Sequence, residues 1–241
     1  MRIRQVDNVR ISLASYNIHG CIGRDGRYAP ERILAVLREL DCDVVALQEV
    51  DTLHGGLDLL AYLAQSTSSV AVPGPTMIRA DGDYGNAVLS RLPVLSTRRL
   101  DLTFGGREPR GAIGVDLDCG GVSLRAVATH LGLRPTERRF QVQRLLDLFR
   151  TDGTQPAALM GDLNEWFLWG RPLRWLHAYF GTSPAIATFP AGRPMLALDR
   201  ILAHPRQSLN ETAVHLSALA RIASDHLPLK AVMEVAPLGE L

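Results

Sequence analysis

Apolar and polar side chains alternate through residues 10–18, Arg-Ile-Ser-Leu-Ala-Ser-Tyr-Asn-Ile, and a period of two predicts a strand that carries Asn17 near its end. A glycine-rich turn from Gly20 to Tyr28 follows. Pro30 then opens a helix, at a position where its missing N–H has no bond to lose. Ile33, Val36, Leu37 and Leu40 recur at helical spacing and form one apolar face. Asp43-Val-Val-Ala-Leu-Gln-Glu49 is a short continuous apolar run, the signature of a strand covered on both faces, with Gln48 and Glu49 at its exit.

The pattern next predicts a helix over 57–65 and short strands near 70–79, 84–90, 93–103, 111–118 and 121–130, punctuated by Gly, Pro and Asp at hairpin spacing. Residues 136–150 read as a helix with Val142, Leu145, Leu146 and Phe149 on one face. A buried strand over 156–161, a Trp-rich helix over 166–180 and strands near 197–203, 211–216 and 228–235 complete the chain. There is no fixed repeat, low-complexity tract or obvious linker. One α/β domain is expected, with two sheets and helices outside them.

Composition narrows the class. The chain has 241 residues, 46% hydrophobic and 21% charged, as an ordinary globular protein does. Its 26 basic and 25 acidic side chains leave a formal charge of +1, which removes the strong basic signal of a dedicated nucleic-acid binder. Lys230 is the only lysine, so nearly all positive charge is guanidinium; this suits phosphate recognition, although composition bias accounts for it as well. Cys21, Cys42 and Cys119 lack metal-ligand spacing and fit a reducing compartment. Met1 to Asp7 holds no apolar leader, and no run approaches the ~20 apolar residues of a membrane span. A cytoplasmic location is the expectation.

Candidate chemistry sits where apolar strands run out. Asn17, Glu49, His130, Asp162, Asn164, Asp199, Asp225 and His226 all occupy such positions or the short motifs beside them, and loops at strand ends are where α/β proteins place their sites. A hard cation such as Mg²⁺ takes oxygen ligands, one or two carboxylates plus water and substrate phosphate, a demand met by Glu49 with Asp162 or Asp225. The histidines lack the spacing of a structural zinc site.

Seven segments, taken in order, resemble the endonuclease/exonuclease/phosphatase superfamily of DNase I-like proteins, and in particular its small bacterial members. They are Ser15-Tyr-Asn-Ile-His19, Leu47-Gln-Glu-Val50, Gly85-Asn-Ala-Val-Leu-Ser-Arg-Leu-Pro93, Thr129-His-Leu131, Gly161-Asp-Leu-Asn164, Leu198-Asp-Arg-Ile201 and Ser224-Asp-His-Leu-Pro228. The resemblance implies a four-layer α/β sandwich, two mixed sheets face to face with helices outside, as a single domain over residues 1–241. It implies metal-dependent hydrolysis of a phosphodiester, with Mg²⁺ (or Mn²⁺) as cofactor. Glu49 would be the principal metal ligand, with Asn17 and Asp225 near the metal. Asp162 would position or deprotonate the water, Asn164 would bond a phosphoryl oxygen, and His226, held by Asp199, would face the scissile phosphate. His130 would be a phosphate ligand or leaving-group acid.

Asn86 and Arg110 stand in segments that would border the pocket, with substrate contact and structural support equally open. Trp166-Phe-Leu-Trp169 and Trp175 follow the Gly-Asp-Leu-Asn motif. Their simplest reading is a helix packed over a sheet; the alternative is a wall for a substrate group, with Trp166 as a contact, or a membrane-touching lip. Arg134, Arg138 and Arg139 read as a solvated helix face. The expected substrate is a phosphodiester, either nucleic acid in an endonuclease- or exonuclease-type reaction or a phospholipid headgroup. A phosphomonoester or a silent binding module on the same fold are the remaining readings.

Overall fold

The structure, a computed structural model, describes residues 8–80, 82–151 and 155–236, so the Met1–Asp7 stretch examined for a leader lies outside it. The elements run β1 (Val9–Asn17), α1 (Pro30–Leu40), β2 (Val44–Asp51), β3 (Leu53–His54), β4 (Leu57–Asp58), α2 (Leu59–Thr67), β5 (Val70–Met77), β6 (Tyr84–Ser90) and β7 (Val94–Asp101). They continue through β8 (Gly111–Asp118), β9 (Ser123–His130), α3 (Pro135–Thr151), β10 (Ala157–Asp162), α4 (Arg171–Phe180), β11 (Asp199–His204), β12 (Leu209–Val214), α5 (Ala220–Ala223) and β13 (Leu229–Val235).

Two large mixed sheets result. The first has the order β12-β13-β1-β2-β6-β5 and the second β11-β10-β9-β8-β7. Each contains a single parallel pair, β1 with β2 and β9 with β10, joined by a crossover helix, α1 or α3. The sheets face each other across a core in which Ile11, Leu13, Val44 and Val88 meet Ile113, Leu124, Ala158 and Met160. The outer face of the first sheet, Tyr16 and Leu47 among others, packs on α1 through Ile33 and Leu37. The outer face of the second sheet packs on α3 through Val142, Leu145 and Phe149, and on α4 through Leu176 and Phe180. Covering both faces explains why these strands read as apolar runs rather than alternations. This is the expected DNase I-like sandwich.

The sequence reading departs from the structure in two places that matter. The helix expected over 166–180 begins only at Arg171; Gly170 precedes it and Pro172 sits in its first turn, whereas 166–169 form an exposed turn. Arg138, expected on a solvated face, is fully buried. Smaller shifts are ordinary end effects: the second helix starts at Leu59 because residues 57–58 pair with 53–54, and the strand near 211–216 lies at Leu209–Val214.

Candidate active site

The two parallel pairs point their C-terminal ends to the same rim, where residues of both sheets meet. Local backbone devices aim them. The β2–β6 pairing shifts register between Leu47 and Val50, and Glu49 takes a φ of +55° within that bulge, turning its carboxylate out of the strand's alternation. Asp162 lies opposite His130 in the β10–β9 register. Gly161 permits this approach, because a Cβ there would collide with the Thr129 carbonyl oxygen. Asn164 has a φ of +50°, a left-handed conformation that asparagine tolerates better than most residues.

Asp162 is the hub. Its Oδ1 accepts the Asn164 backbone N–H at 2.9 Å, while Oδ2 accepts Asn17 Nδ2 at 3.2 Å. The same Oδ2 lies 3.4 Å from His130 Nε2 and 3.6 Å from His226 Nε2. Asn17 Nδ2 also donates to Glu49 Oε1 at 2.9 Å, so one amide links the acids of both sheets. Burial raises the Asp162 pKa above the usual carboxylate range, and the two imidazoles only partly oppose it.

The histidines are held in different states. Arg110 donates to His130 Nδ1 at 3.0 Å, and a guanidinium can only donate, so the hydrogen-bond network assigns the ring proton to Nε2. Burial, with Arg110 adding to it, lowers the His130 pKa to about 4 against the pull of Asp162, leaving a neutral ring at pH 7. Asn164 Nδ2 donates to the Leu131 carbonyl at 2.9 Å and stands 3.0 Å from that same Nε2. Two donors therefore converge on one spot, an arrangement that an anionic oxygen between them would relieve. For His226, burial opposes the charge, but Asp199, which accepts from Nδ1 at 2.9 Å, together with Asp162 and Asp225 outweighs it and raises the pKa to about 10. Asp199 is in turn fixed by Thr188 Oγ1 at 2.5 Å.

Asp162, Asp199 and His226 bring three possible metal-ligand atoms within 4.8 Å of one another. Their bonding speaks against a cation there: His226 Nδ1 is engaged by Asp199, and a protonated imidazole repels a metal. The better donor set for a hard cation is the all-oxygen edge formed by Glu49 and Asp162, which Asn17 holds together; it leaves positions open for water and phosphate. Asp225, half-exposed, is turned to Ser224 Oγ (3.4 Å) and His19 Nδ1 (3.9 Å), and among the described residues no hydrogen bond joins it to that edge.

Of the border residues, Arg110 is buried and also pairs with Glu108 at 3.1 Å. Asn86 donates to the Gly111 carbonyl at 3.0 Å, a bond between the sheets, while its Oδ1 is buried without a partner. Both residues line a small cleft with Glu49, Tyr84 and His130. Trp166 lies outside that cleft, with the Arg138 guanidinium 5.0 Å from its ring centre.

Sequence reasoning missed Tyr84, Thr188 and the Arg138–Glu165 ion pair. Tyr84 is hydrogen-bonded to Glu49, and burial followed by that carboxylate's charge pushes its hydroxyl pKa upward. Its signal was available: it stands two residues before Asn86, on the same face of β6.

The sequence profile described as "Endonuclease/Exonuclease/phosphatase family" matches residues 14–226, and the chain belongs to that family. Its members are in general hydrolytic enzymes, nucleases and phosphatases, and typically depend on a divalent metal. The chain is 29% identical to the Escherichia coli protein YbhP over 249 residues, covering 94% of this chain and 97% of that one. Its fold is similar to an endonuclease/exonuclease/phosphatase from Bacteroides vulgatus, with a TM-score of 0.78 at 18% identity, covering 94% of this chain and 99% of that one. It is also similar to the human Nocturnin catalytic domain with a bound sulfate anion, with a TM-score of 0.73 at 18% identity and coverage of 95% and 94%.

Proposed function

We propose that this protein is a divalent-metal-dependent phosphodiesterase that hydrolyses its substrate by in-line attack of water. The observation that carries this reading is the surroundings of Asp162: a dry carboxylate between a neutral and a protonated imidazole, tied by Asn17 to a second acid. Glu49, with Asp162 and Asn17 alongside and Asp225 nearby, would hold Mg²⁺ or Mn²⁺, which when bound neutralises phosphoryl charge and favours ionisation of water. Asp162 orients the water and takes its proton, a task suited to a carboxylate whose pKa burial has raised. The His226 imidazolium, braced by Asp199, stabilises charge developing on phosphorus-bound oxygen. The convergent donors His130 Nε2 and Asn164 Nδ2 grip another phosphoryl oxygen, and Arg110 keeps the His130 proton on that side. The sulfate bound by Nocturnin supports the anion-binding part of this reading.

An endonuclease- or exonuclease-type reaction on nucleic acid is the leading substrate reading. A phospholipid or other small phosphodiester is the second, favoured by the exposed apolar turn at 166–169. The test is a screen of plasmid DNA, single-stranded DNA, RNA, bis-p-nitrophenyl phosphate and phospholipids with Mg²⁺, Mn²⁺ or EDTA. Turnover of at least one ester that EDTA abolishes and metal restores is expected. Metal-independent turnover, or none on any ester, would sink the proposal.

A further inference from the structure

Two turns beside the candidate site carry apolar tips into solvent. One holds Leu133, 61% exposed; the other holds Trp166, Phe167, Leu168 and Trp169, the last 75% exposed. Exposed apolar residues elsewhere include Ile78 and Leu95, and single ones need no explanation, but a run of four beside a fifth does.

A buried ion pair locks the turns together. Arg138 Nε and Nη2 face Glu165 at 3.2 and 3.4 Å, and Arg138 Nη1 donates to the Gly132 and Leu133 carbonyls at 3.2 and 2.6 Å. Glu165 also accepts the Phe167 N–H at 3.1 Å, and the Gly170 N–H closes the turn on the Phe167 carbonyl at 2.9 Å. Desolvating two charges is costly, and their bonding here fixes the shape of an exposed wedge. Charge around the wedge has one sign. Glu137 and Glu165, the only acids in residues 131–139 and 165–175, are buried, whereas Arg134, Arg171 and Arg174 are exposed.

We propose that this wedge docks the protein on an anionic lipid surface, with Leu133, Phe167, Leu168 and Trp169 entering the headgroup boundary and the three arginines meeting lipid phosphate. Such a combination of apolar tips and a basic rim is what peripheral attachment requires. Among the described residues no helix is long and apolar enough to cross a membrane, so attachment would be interfacial. Base stacking on single-stranded nucleic acid fits less well: Trp166 is already engaged by Arg138 and, with ring centres 5.8 Å apart, by Phe167, and exposed leucines offer no ring to a base. The candidate site opens beside the wedge, since Asn164 binds the Leu131 carbonyl two residues before Leu133.

The inference concerns where the protein sits, not its reaction, so binding is read in EDTA without turnover. Vesicles of equimolar phosphatidylcholine and phosphatidylglycerol are compared with pure phosphatidylcholine by co-sedimentation, with tryptophan emission followed in parallel. The wild type is expected to sediment with anionic vesicles only, with a blue shift and with affinity that falls as salt rises. Leu168→Ser with Trp169→Ser should weaken binding about tenfold or more. Arg134→Gln with Arg171→Gln should weaken it roughly 30-fold, about fivefold per charge. All four positions are exposed, so melting temperatures should stay unchanged. Failure to bind anionic vesicles, equal binding to both compositions, or wild-type binding by the variants overturns the proposal. So does binding of single-stranded oligothymidylate that these variants lose while vesicle binding persists.

Discussion

The β1–α1–β2 and β9–α3–β10 units are built alike, each a parallel pair with a crossover helix, yet they equip the rim differently. The first ends in Asn17 and in Glu49, whose carboxylate is only partly buried. The second ends in His130 and in Asp162, which is 1% exposed and surrounded by N–H groups. One architecture therefore yields a wet acid and a dry one. Under the proposed function this divides the labour: the accessible carboxylate serves the cation and the buried one serves the water.

The comparison breaks first at Asp162. Asp162→Asn keeps the hydrogen-bonding shape but removes the base, and turnover of bis-p-nitrophenyl phosphate should fall by about 10²–10⁴-fold with the fold intact by circular dichroism. A loss below tenfold would assign the base elsewhere. Glu49→Gln should act differently, raising the metal concentration for half-maximal activity by about tenfold or more, read from a Mg²⁺ titration. If Glu49→Gln behaved like Asp162→Asn, the division of labour would be wrong.

A smaller effect concerns the brace between the units. The His226 pKa is raised from 6.5 to about 10 in the fold, so its contribution to stability is complete below pH 6.5 and is lost as pH rises through about 10. Asp199→Asn should therefore destabilise the protein most at neutral and lower pH, and least above pH 10. Chemical denaturation across pH measures the difference, and the imidazole resonances should titrate at a lower pH in the variant. The smallest effect is on packing: Leu145→Ala, behind the dry acid, is expected to cost about 2–5 kcal/mol in stability with little change in KM.

The strands and crossover helices were legible because both sheet faces are covered, so continuous apolar runs marked them. The candidate residues were legible because each stands beside such a run. What escaped was set by contacts distant in sequence. Nothing near Arg138 reveals that its charge is buried against Glu165, 27 residues away. Thr188 earned no notice until the chain returned it to Asp199. The helix expected from Trp166 failed because apolar side chains at helical spacing are also what an exposed wedge contains, and only Pro172 hinted at the later start.

The wedge has a consequence for proteolysis. Arg134 and Arg171, two of its exposed arginines, precede Pro135 and Pro172, and a peptide bond before proline resists trypsin. The 166–169 turn instead displays four side chains that chymotrypsin accepts, on a loop tip of the kind proteases nick first. An arginine-rich protein thus offers its most revealing cut to an enzyme that ignores arginine, and shielding of that cut would map whatever covers the wedge.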